Sequence, residues 1–337
     1  MGPALTNLPP NLDHFLGNAR VVEILRRAVE RDRLPHALIF AGPPGVGKRT
    51  LALLLAQLVN CASPTGSLAC GKCSSCTKIV RGSHPDIRVV EPDGAFIKIE
   101  QIRQVIGEIA YQPFEAKYRV VILDPAEQLK LEAANCMLKT LEEPPSRTII
   151  ILVTSNPYLL LSTIQSRSRL LQFAGISQDR IEAYLVQNSG WNPEDARLAA
   201  ALSRGSLGNA QAFDASSYIP VRGQALRFVS LLLSRGSFAD ASRLVAGTAK
   251  DKDAFPVWVE AVLTILQDLF YAGTAPERIR QRDILEDLRA LAASSPAGAI
   301  PSAVRAFDRL RRGLRHNVNR QLALEALFLS ETARPAQ

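Results

Sequence analysis

The sequence has 337 residues, of which 47% are hydrophobic and 21% are charged, an ordinary composition for a globular protein. At roughly 150 residues per domain we expect about two domains, and so long a chain needs no covalent staple to hold a core. These values exclude disorder, collagen and coiled coil for the chain as a whole. The net charge of +8 is spread along the sequence, so it permits nucleic acid as a partner without requiring it.

The sequence also bears on the cellular compartment. No uninterrupted apolar run approaches the roughly 18 residues of a membrane span, and residues 1–10 have neither the basic nor the apolar region of a secretory signal. We therefore expect the chain to stay in the cytoplasm. In that compartment the five cysteines would be thiols or metal ligands and not disulfides.

The first half of the chain alternates predicted helices with short apolar runs that predict buried strands. Residues 61–83 are rich in Cys, Gly and Ser and are interpreted as an irregular insert. Strands that alternate with helices predict a parallel sheet covered by helices on both faces. Helices are predicted over 19–34, 48–60, 99–110 and 127–141, and strands over 36–41, 119–123 and 148–153.

No strand is predicted from about residue 176 onward. Short helices are predicted around the Gly205-Ser206 turn, and longer amphipathic helices follow over 215–333. The predicted organisation is an α/β domain over 1–175, a small helical domain over 176–213 and a helical C-terminal domain over 214–337. The long helices are expected to break at Gly223, Gly236, Pro276 and Pro296.

Residues 42–48 read GPPGVGK, which fits the G-x-x-x-x-G-K phosphate-loop pattern, and they lie between a predicted strand and a predicted helix. Gly42, Gly45 and Gly47 would let backbone N–H groups turn inward around a phosphate, with the helix dipole adding to the attraction. Lys48 would reach the β and γ phosphates. The alternative is a Gly-Pro loop that binds no ligand.

The residues after this loop depart from the pattern of an ATPase. The residue after the lysine should carry a hydroxyl for magnesium, but it is Arg49, whose guanidinium cannot ligate a cation. Thr50 follows one residue late and is turned about 100° away on the helix. Asp124 follows the second predicted strand and is a candidate magnesium ligand or simply a strand-end or helix-cap carboxylate. Pro125 stands where a catalytic Glu is needed, and Glu127 is expected to cap the next helix. ATP or ADP could bind here, but magnesium would be poorly held.

A second pattern is formed by cysteines. Cys61, Cys70, Cys73 and Cys76 are spaced C-x8-C-x2-C-x2-C, and four thiolates can close a tetrahedral zinc site with no open position for catalysis. The sequence therefore predicts structural zinc; free thiols and an iron–sulfur cluster are the alternatives. Cys136 lies within a predicted helix and is interpreted as a small buried hydrophobic residue.

Several motifs together resemble one family. LKTLEEPP at 138–145, TSNP at 154–157 and SRSR at 166–169 follow the phosphate loop and the four-cysteine insert, and NVNRQLALE at 317–325 lies near the C-terminus. This combination resembles the bacterial DNA polymerase III clamp-loader subunits of the AAA+ ATPase superfamily. The resemblance implies an AAA+ domain with a zinc module at 61–76, a small lid domain and an oligomerisation (collar) domain, within the boundaries given above.

The departures indicate which subunit type the chain is similar to. The motor subunit gamma/tau keeps a hydroxyl after the lysine, a catalytic Glu and a second-domain Arg, where this sequence has Arg49, Pro125 and Gly208. In lacking these three catalytic residues, the sequence resembles the delta-prime subunits, which do not hydrolyse ATP. The resemblance implies a hetero-pentamer with gamma/tau and delta subunits, which opens the sliding clamp and places it on primed DNA.

One catalytic element of the family remains. Members carry an arginine in a Ser-Arg-Cys motif that reaches into the neighbouring subunit's ATP site, and here the motif reads Ser166-Arg167-Ser168. The resemblance therefore implies that Arg167 acts in trans as an arginine finger. The alternative is a surface arginine in a loop. Arg169 is interpreted as structural.

Three interpretations stay open beside this one. The chain could be a catalytically active gamma/tau-like ATPase in which Thr50 and Glu127 replace the lost residues. It could be a zinc-stabilised nucleotide sensor or scaffold outside replication. The predicted helix 305–320 could be a solvated face, a subunit interface or a DNA-facing patch; it carries Arg305, Arg309, Arg311, Arg312, Arg315 and Arg320.

Overall fold

The computed structural model describes residues 8–251, 254–313 and 319–333, and the chain divides into two compact units. The first unit comprises Met1–Ile181 with Ser203–Ala210, and the second comprises Glu182–Leu202 with Gln211–Gln337. The division into three domains stays a prediction.

The first unit is built on a parallel sheet of five strands in the order β2-β3-β4-β1-β5. The predicted parallel sheet is therefore confirmed. Each of the three middle strands, β3, β4 and β1, is an apolar run that the sequence had predicted. The strands are β1 Ala37–Ala41, β2 Ile87–Val90, β3 Arg119–Leu123, β4 Thr148–Thr154 and β5 Arg169–Gln172.

Helices cover both faces of this sheet because the side chains of each strand alternate between two apolar cores. Val120 and Ile122 of β3 join one core, while Val121 and Leu123 join the other. The helices are α1 Ala19–Glu30, α2 Lys48–Asn60, α3 Ser74–Val80, α4 Ile99–Ile109, α5 Leu131–Glu142 and α6 Ser162–Gln165, with 3-10 turns at Leu12–His14, Ala126–Gln128 and Pro157–Leu159.

The structure corrects three local predictions in this unit. The helix predicted from 127 begins only at Leu131, after the separate 3-10 turn Ala126–Gln128. The insert predicted as irregular contains α3. Two strands, β2 and β5, were not predicted because each buries a single side chain, Val90 and Leu171 respectively, and so shows no apolar run.

One buried carboxylate fixes the chain between α4 and β3. Asp86 is 1% exposed and accepts backbone N–H groups from Phe114 at 2.8 Å, Glu115 at 2.8 Å and Ala116 at 3.0 Å. Its Oδ1 also lies 2.9 Å from Nη2 of Arg119. Burial alone would raise the pKa of Asp86, but these hydrogen bonds lower it to about 2.

We expect Asp86→Asn to lower the free energy of unfolding of the first unit by about 3–5 kcal/mol at neutral pH, because the neutral amide no longer balances the charge of the partly buried Arg119. The lowered pKa means that the stability contributed by Asp86 is complete above its unfolded pKa and is lost as pH falls toward about 2. Urea unfolding of wild type and variant would therefore differ most at pH 7 and converge in acid. The exposed Asp93→Asn is the matched control, and an equally large loss there would contradict the assignment.

From Ile176 onward the described residues form helices and no strand, as predicted. One predicted break is wrong, because α10 runs through Gly223 without interruption; a helical glycine costs only about 1 kcal/mol, which the packed core offsets. The helices are α7 Gln178–Ser189, α8 Pro193–Leu202, α9 Leu207–Gln211, α10 Ala215–Leu233, α11 Phe238–Lys250, α12 Ala254–Ala272, α13 Leu285–Ser294, α14 Ala299–Gly313 and α15 Arg320–Thr332.

The core of the second unit forms around α12. Phe228 of α10 packs edge-on against Trp258 of α12, with 5.2 Å between the ring centres. Phe307 and Phe328 also pack against the ring of Phe228. The most apolar stretch of α12 has a mean hydropathy of 1.3, and 61% of it is buried inside the structure. By length and composition alone it would pass as a membrane span, but a mostly buried core helix passes the same test.

Candidate functional site

The glycine-rich loop joins β1 to α2 in the strand–loop–helix arrangement that its sequence predicted. Gly45 has φ +75° and Gly47 has φ +91°, values that only glycine adopts readily. A Cβ on Gly45 would lie 2.0 Å from Oγ of Ser206, and one on Gly47 would lie 2.8 Å from the ring of Phe15. The loop is therefore packed closely by chain segments from both sides.

Lys48, the first residue of α2, is held inside its own loop. It is 7% exposed, and its Nζ donates to the carbonyl oxygens of Gly42 at 2.6 Å and Pro43 at 2.7 Å. Burial lowers the pKa of Lys48, against the opposing attraction of Asp124 and Glu127. A phosphate would have to replace these two carbonyls as the partner of the amine.

Arg49 places a fixed positive charge beside the carboxylate at the end of β3. Its Nη1 lies 3.8 Å from Oδ2 of Asp124 and forms a closer ion pair with Glu91. Burial raises the pKa of Asp124, while Arg49 and Lys48 act in the opposite direction. The guanidinium therefore places a positive charge beside two carboxylates, those of Glu91 and Asp124.

Glu91 was not among the predicted site residues. It follows β2, and the carboxyl ends of parallel strands meet at the same edge of a sheet. Recognising β2 in the sequence would have placed Glu91 beside Asp124. The missing signal was the strand itself, since only Val90 of β2 is buried.

Of the two residues considered as replacements for the lost catalytic residues, Thr50 and Glu127, the structure shows Glu127 engaged elsewhere. Thr50 lies within α2, one position beyond Arg49. Pro125 carries no acid or base. Glu127 accepts hydrogen bonds from the backbone N–H of Ser155 at 3.0 Å and from its hydroxyl. Burial opposes ionisation, but these bonds lower the pKa of Glu127. It lies in a 3-10 turn and does not cap the next helix, contrary to expectation.

Gly208 also lies beside the loop. A Cβ at this position would be 3.9 Å from the carbonyl oxygen of Gly45. The neighbouring Ser206 donates its hydroxyl hydrogen to the same oxygen at 3.0 Å. A longer side chain at residue 208 would therefore start next to the glycine-rich loop, and glycine supplies none.

The four predicted cysteine ligands come together in the structure. The Sγ atoms of Cys61, Cys70, Cys73 and Cys76 all lie within 4.8 Å of one another. Cys73 caps α3 and Cys76 lies in its first turn. Backbone N–H groups point at the sulfurs, from Cys70 to Cys61 at 3.2 Å and from Cys73 to Cys70 at 3.3 Å. Cys136 is apart from this group, in α5, and packs partly buried against the core.

The cluster fits a tetrahedral ion with four sulfur ligands. At a zinc–sulfur distance of about 2.3 Å, tetrahedral geometry separates the sulfurs by about 3.8 Å, inside the range observed. Ligation requires thiolates. Although burial opposes ionisation, backbone N–H groups lower the pKa of Cys73 to about 6 and also lower the pKa of Cys70. Burial raises the pKa of Cys61 and Cys76, so a bound ion would have to displace the protons of these two thiols. Among the residues that the structure describes, no other group of three or more His, Cys, Asp or Glu side chains lies close enough together to hold a metal ion.

Arg167 follows α6 and is paired within its own chain. Its Nε and Nη2 lie 2.9 Å and 2.5 Å from Oε1 of Glu142, the last residue of α5. Its Nη1 donates to the carbonyl oxygen of Thr163 at 3.0 Å. About a third of the side chain, 34%, is exposed. Arg169 begins β5, in agreement with a structural role for its backbone.

The predicted basic helix is split between α14 and α15. Arg311 and Arg312 both pair with Asp308, and the guanidinium of Arg320 lies 4.8 Å from the ring centre of Phe255. The role of these arginines stays a prediction. Arg315 lies outside the described residues, as do residues 317 and 318 of the family-like stretch.

The first unit is an α/β fold in which a glycine-rich loop joins a strand of the parallel sheet to a helix, and it also carries the four clustered cysteines. The second unit is helical. The chain is thus a two-unit α/β protein with a glycine-rich loop. A family model described as "DNA polymerase III, delta subunit" matches residues 17–177. The DNA polymerase III subunit delta' of Bacillus subtilis (strain 168) is 30% identical over 313 residues, which cover 92% of this chain and 94% of that protein. The chain belongs to the DNA polymerase III delta' family, which confirms the family resemblance.

Two further relatives match over shorter stretches. The delta' subunit of Pseudomonas aeruginosa is 40% identical over 134 residues, 39% of this chain and 41% of that protein. The tau subunit of Bacillus subtilis is 33% identical over 174 residues, 51% of this chain and 31% of that protein. The likeness to tau thus involves a smaller part of both proteins than the likeness to Bacillus delta'.

Proposed function

We propose that this chain is a non-hydrolysing subunit of the bacterial replicative clamp loader. It would assemble in the cytoplasm with gamma/tau and delta subunits as a hetero-pentamer. The complex would load the sliding clamp onto primer–template DNA. Membership of the delta' family supports the assembly, and the arrangement around the glycine-rich loop supports the lack of hydrolysis.

The observation that carries the proposal is the position of Arg49. Its guanidinium lies between Glu91 and Asp124, next to the carboxylate that would otherwise bind magnesium. A second cation brought beside Arg49 would meet like-charge repulsion, and arginine has no lone pair with which to ligate it. Without magnesium, charge developing on a transferred phosphoryl group is not neutralised.

Two further positions point the same way. Pro125 has no group that could polarise a water molecule, and Glu127 is bonded to Ser155. Gly208 brings no positive side chain to the loop. Gly42, Gly45, Gly47, Lys48 and the first turn of α2 would at most hold the phosphates of ATP or ADP.

The four cysteines would hold a structural zinc ion. Zinc would bind four thiolates and leave no position for water, so its contribution would be to order the insert between α2 and β2. Cys61 lies at the end of α2 and Cys76 within α3, so the ion would tie these two helices together.

Arg167 would complete the ATP site of an adjacent gamma/tau subunit. An arginine donated in trans stabilises charge on the transferred phosphoryl group. Its place after α6, partly exposed, is compatible with contact to another subunit. The chain would thus contribute to catalysis without turning over ATP.

We expect no steady ATP hydrolysis by the purified chain, because Arg49 lies beside the carboxylate that would bind magnesium and Pro125 offers no group that could polarise an attacking water. The measurement is phosphate release by the chain alone and with gamma/tau and delta added. The Lys48→Ala chain gives the background rate. Robust turnover by the wild-type chain, abolished by Lys48→Ala, would support the gamma/tau-like alternative in which Thr50 and Glu127 replace the lost residues.

A further inference from the structure

The side chain of Arg167 is folded back onto its own turn. Nη1 donates to the carbonyl oxygen of Thr163 at 3.0 Å and lies 3.3 Å from Oγ of Ser166. Nε and Nη2 both face Glu142. All three guanidinium nitrogens are therefore engaged within the chain. An arginine that reaches into another subunit must give up some of these contacts.

Glu142 is an unusual partner because its negative charge lies at the C-terminus of a helix. It is the last residue of α5, which ends before Pro144 and Pro145. A negative charge at a helix C-terminus is repelled by the partial negative charge of the unpaired carbonyls. The ion pair with Arg167 offsets this repulsion, and helix formation by itself does not explain the presence of the acid.

We propose that Glu142 acts as a latch that holds Arg167 in this retracted conformation until the neighbouring site offers a phosphate. This inference rests on the proposed role of Arg167 and adds its regulation. Phosphate oxygens bind guanidinium in the same bidentate manner as a carboxylate and carry more charge. A nucleoside triphosphate on the adjacent subunit would therefore compete with Glu142 for the guanidinium.

The exposure of the pair sets the strength of the latch. The side chain of Arg167 is 34% exposed and that of Glu142 is 50% exposed, so water screens their attraction. A pair of this kind shifts an equilibrium by about 2- to 5-fold. The latch can therefore be opened by a ligand and still reduce hydrolysis when the complex is idle.

The test is the rate of ATP hydrolysis by complexes assembled from gamma/tau, delta and variants of this chain, without clamp or DNA. Glu142→Gln removes the charge and keeps the size of the side chain, so we expect the rate at the one neighbouring ATP site, isolated by single-turnover measurement, to rise about 2- to 5-fold. Glu142→Asp keeps the charge and should give a rate closer to wild type. Glu143→Gln, at the adjacent exposed carboxylate, is the matched control and should not change the rate.

The double variant separates the latch from a structural role. Glu142→Gln should have no effect in an Arg167→Ala background, whereas a structural defect would lower the rate in both. A Glu142→Gln rate equal to or below wild type, with Arg167→Ala still slow, would overturn the latch alone. An Arg167→Ala rate equal to wild type would instead overturn the proposed role of Arg167. Loss of assembly in Glu142→Gln, seen by gel filtration, would also count against the latch.

Discussion

Arg167→Ala is expected to slow hydrolysis at the one neighbouring ATP site by about 10³-fold or more, the effect typical of an arginine supplied in trans. The guanidinium would neutralise charge on the transferred phosphoryl group, and alanine brings none. Arg167 lies partly exposed after α6, and its contacts hold only the local turn and Glu142. Its removal should therefore leave the fold intact.

The affected site is best isolated by single-turnover measurement on the assembled complex. Sites completed by other subunits should keep their rate of hydrolysis. In the variant, the rapid phase of phosphate release should therefore lose the amplitude contributed by one site. Arg169→Ala is the matched control, because Arg169 is exposed and contributes its backbone to β5. An unchanged rapid phase in Arg167→Ala would show that this chain completes no neighbouring site.

Cys76→Ser is expected to abolish zinc binding, from about one ion per chain to none detected by elemental analysis. Cys76 is fully buried and its Sγ is one of four within 4.8 Å, so a hydroxyl there cannot close the tetrahedron equally well. Loss of the ion should expose residues 61–83 to protease while the sheet stays protected, because the insert supplies only Ile79 and Leu68 to one of its two cores.

The control for this substitution is Cys136→Ser, which changes a cysteine in α5 outside the cluster. It should retain the ion and the protease resistance of the insert. Purified wild-type chain that carries no zinc and takes up none on titration would contradict the metal assignment. A chromophore with iron present would support the iron–sulfur alternative.

The central strands of the sheet could be predicted because burial leaves a direct mark on the sequence. β1, β3 and β4 are covered on both faces, so nearly every residue is apolar and the runs stand out. β2 and β5 are the edge strands of the sheet and have one buried residue each, so their sequences cannot be told from those of loops. The Gly223 prediction failed for a related reason, since packing across the second unit outweighs a local preference.

The sequence alone determined the chemistry available to this protein: which residues carry thiols, charges and flexible glycines, and how they are spaced. That was enough to predict the glycine-rich loop, the cysteine cluster and the loss of a hydroxyl at Arg49. Only the tertiary structure decided which charges meet. Glu91 and Asp124 flank Arg49, and Glu142 faces Arg167, because in each of these two places the fold brings together strand ends or helix ends that are far apart in the chain. Such pairings depend on the strand order and the helix packing, which no local pattern records.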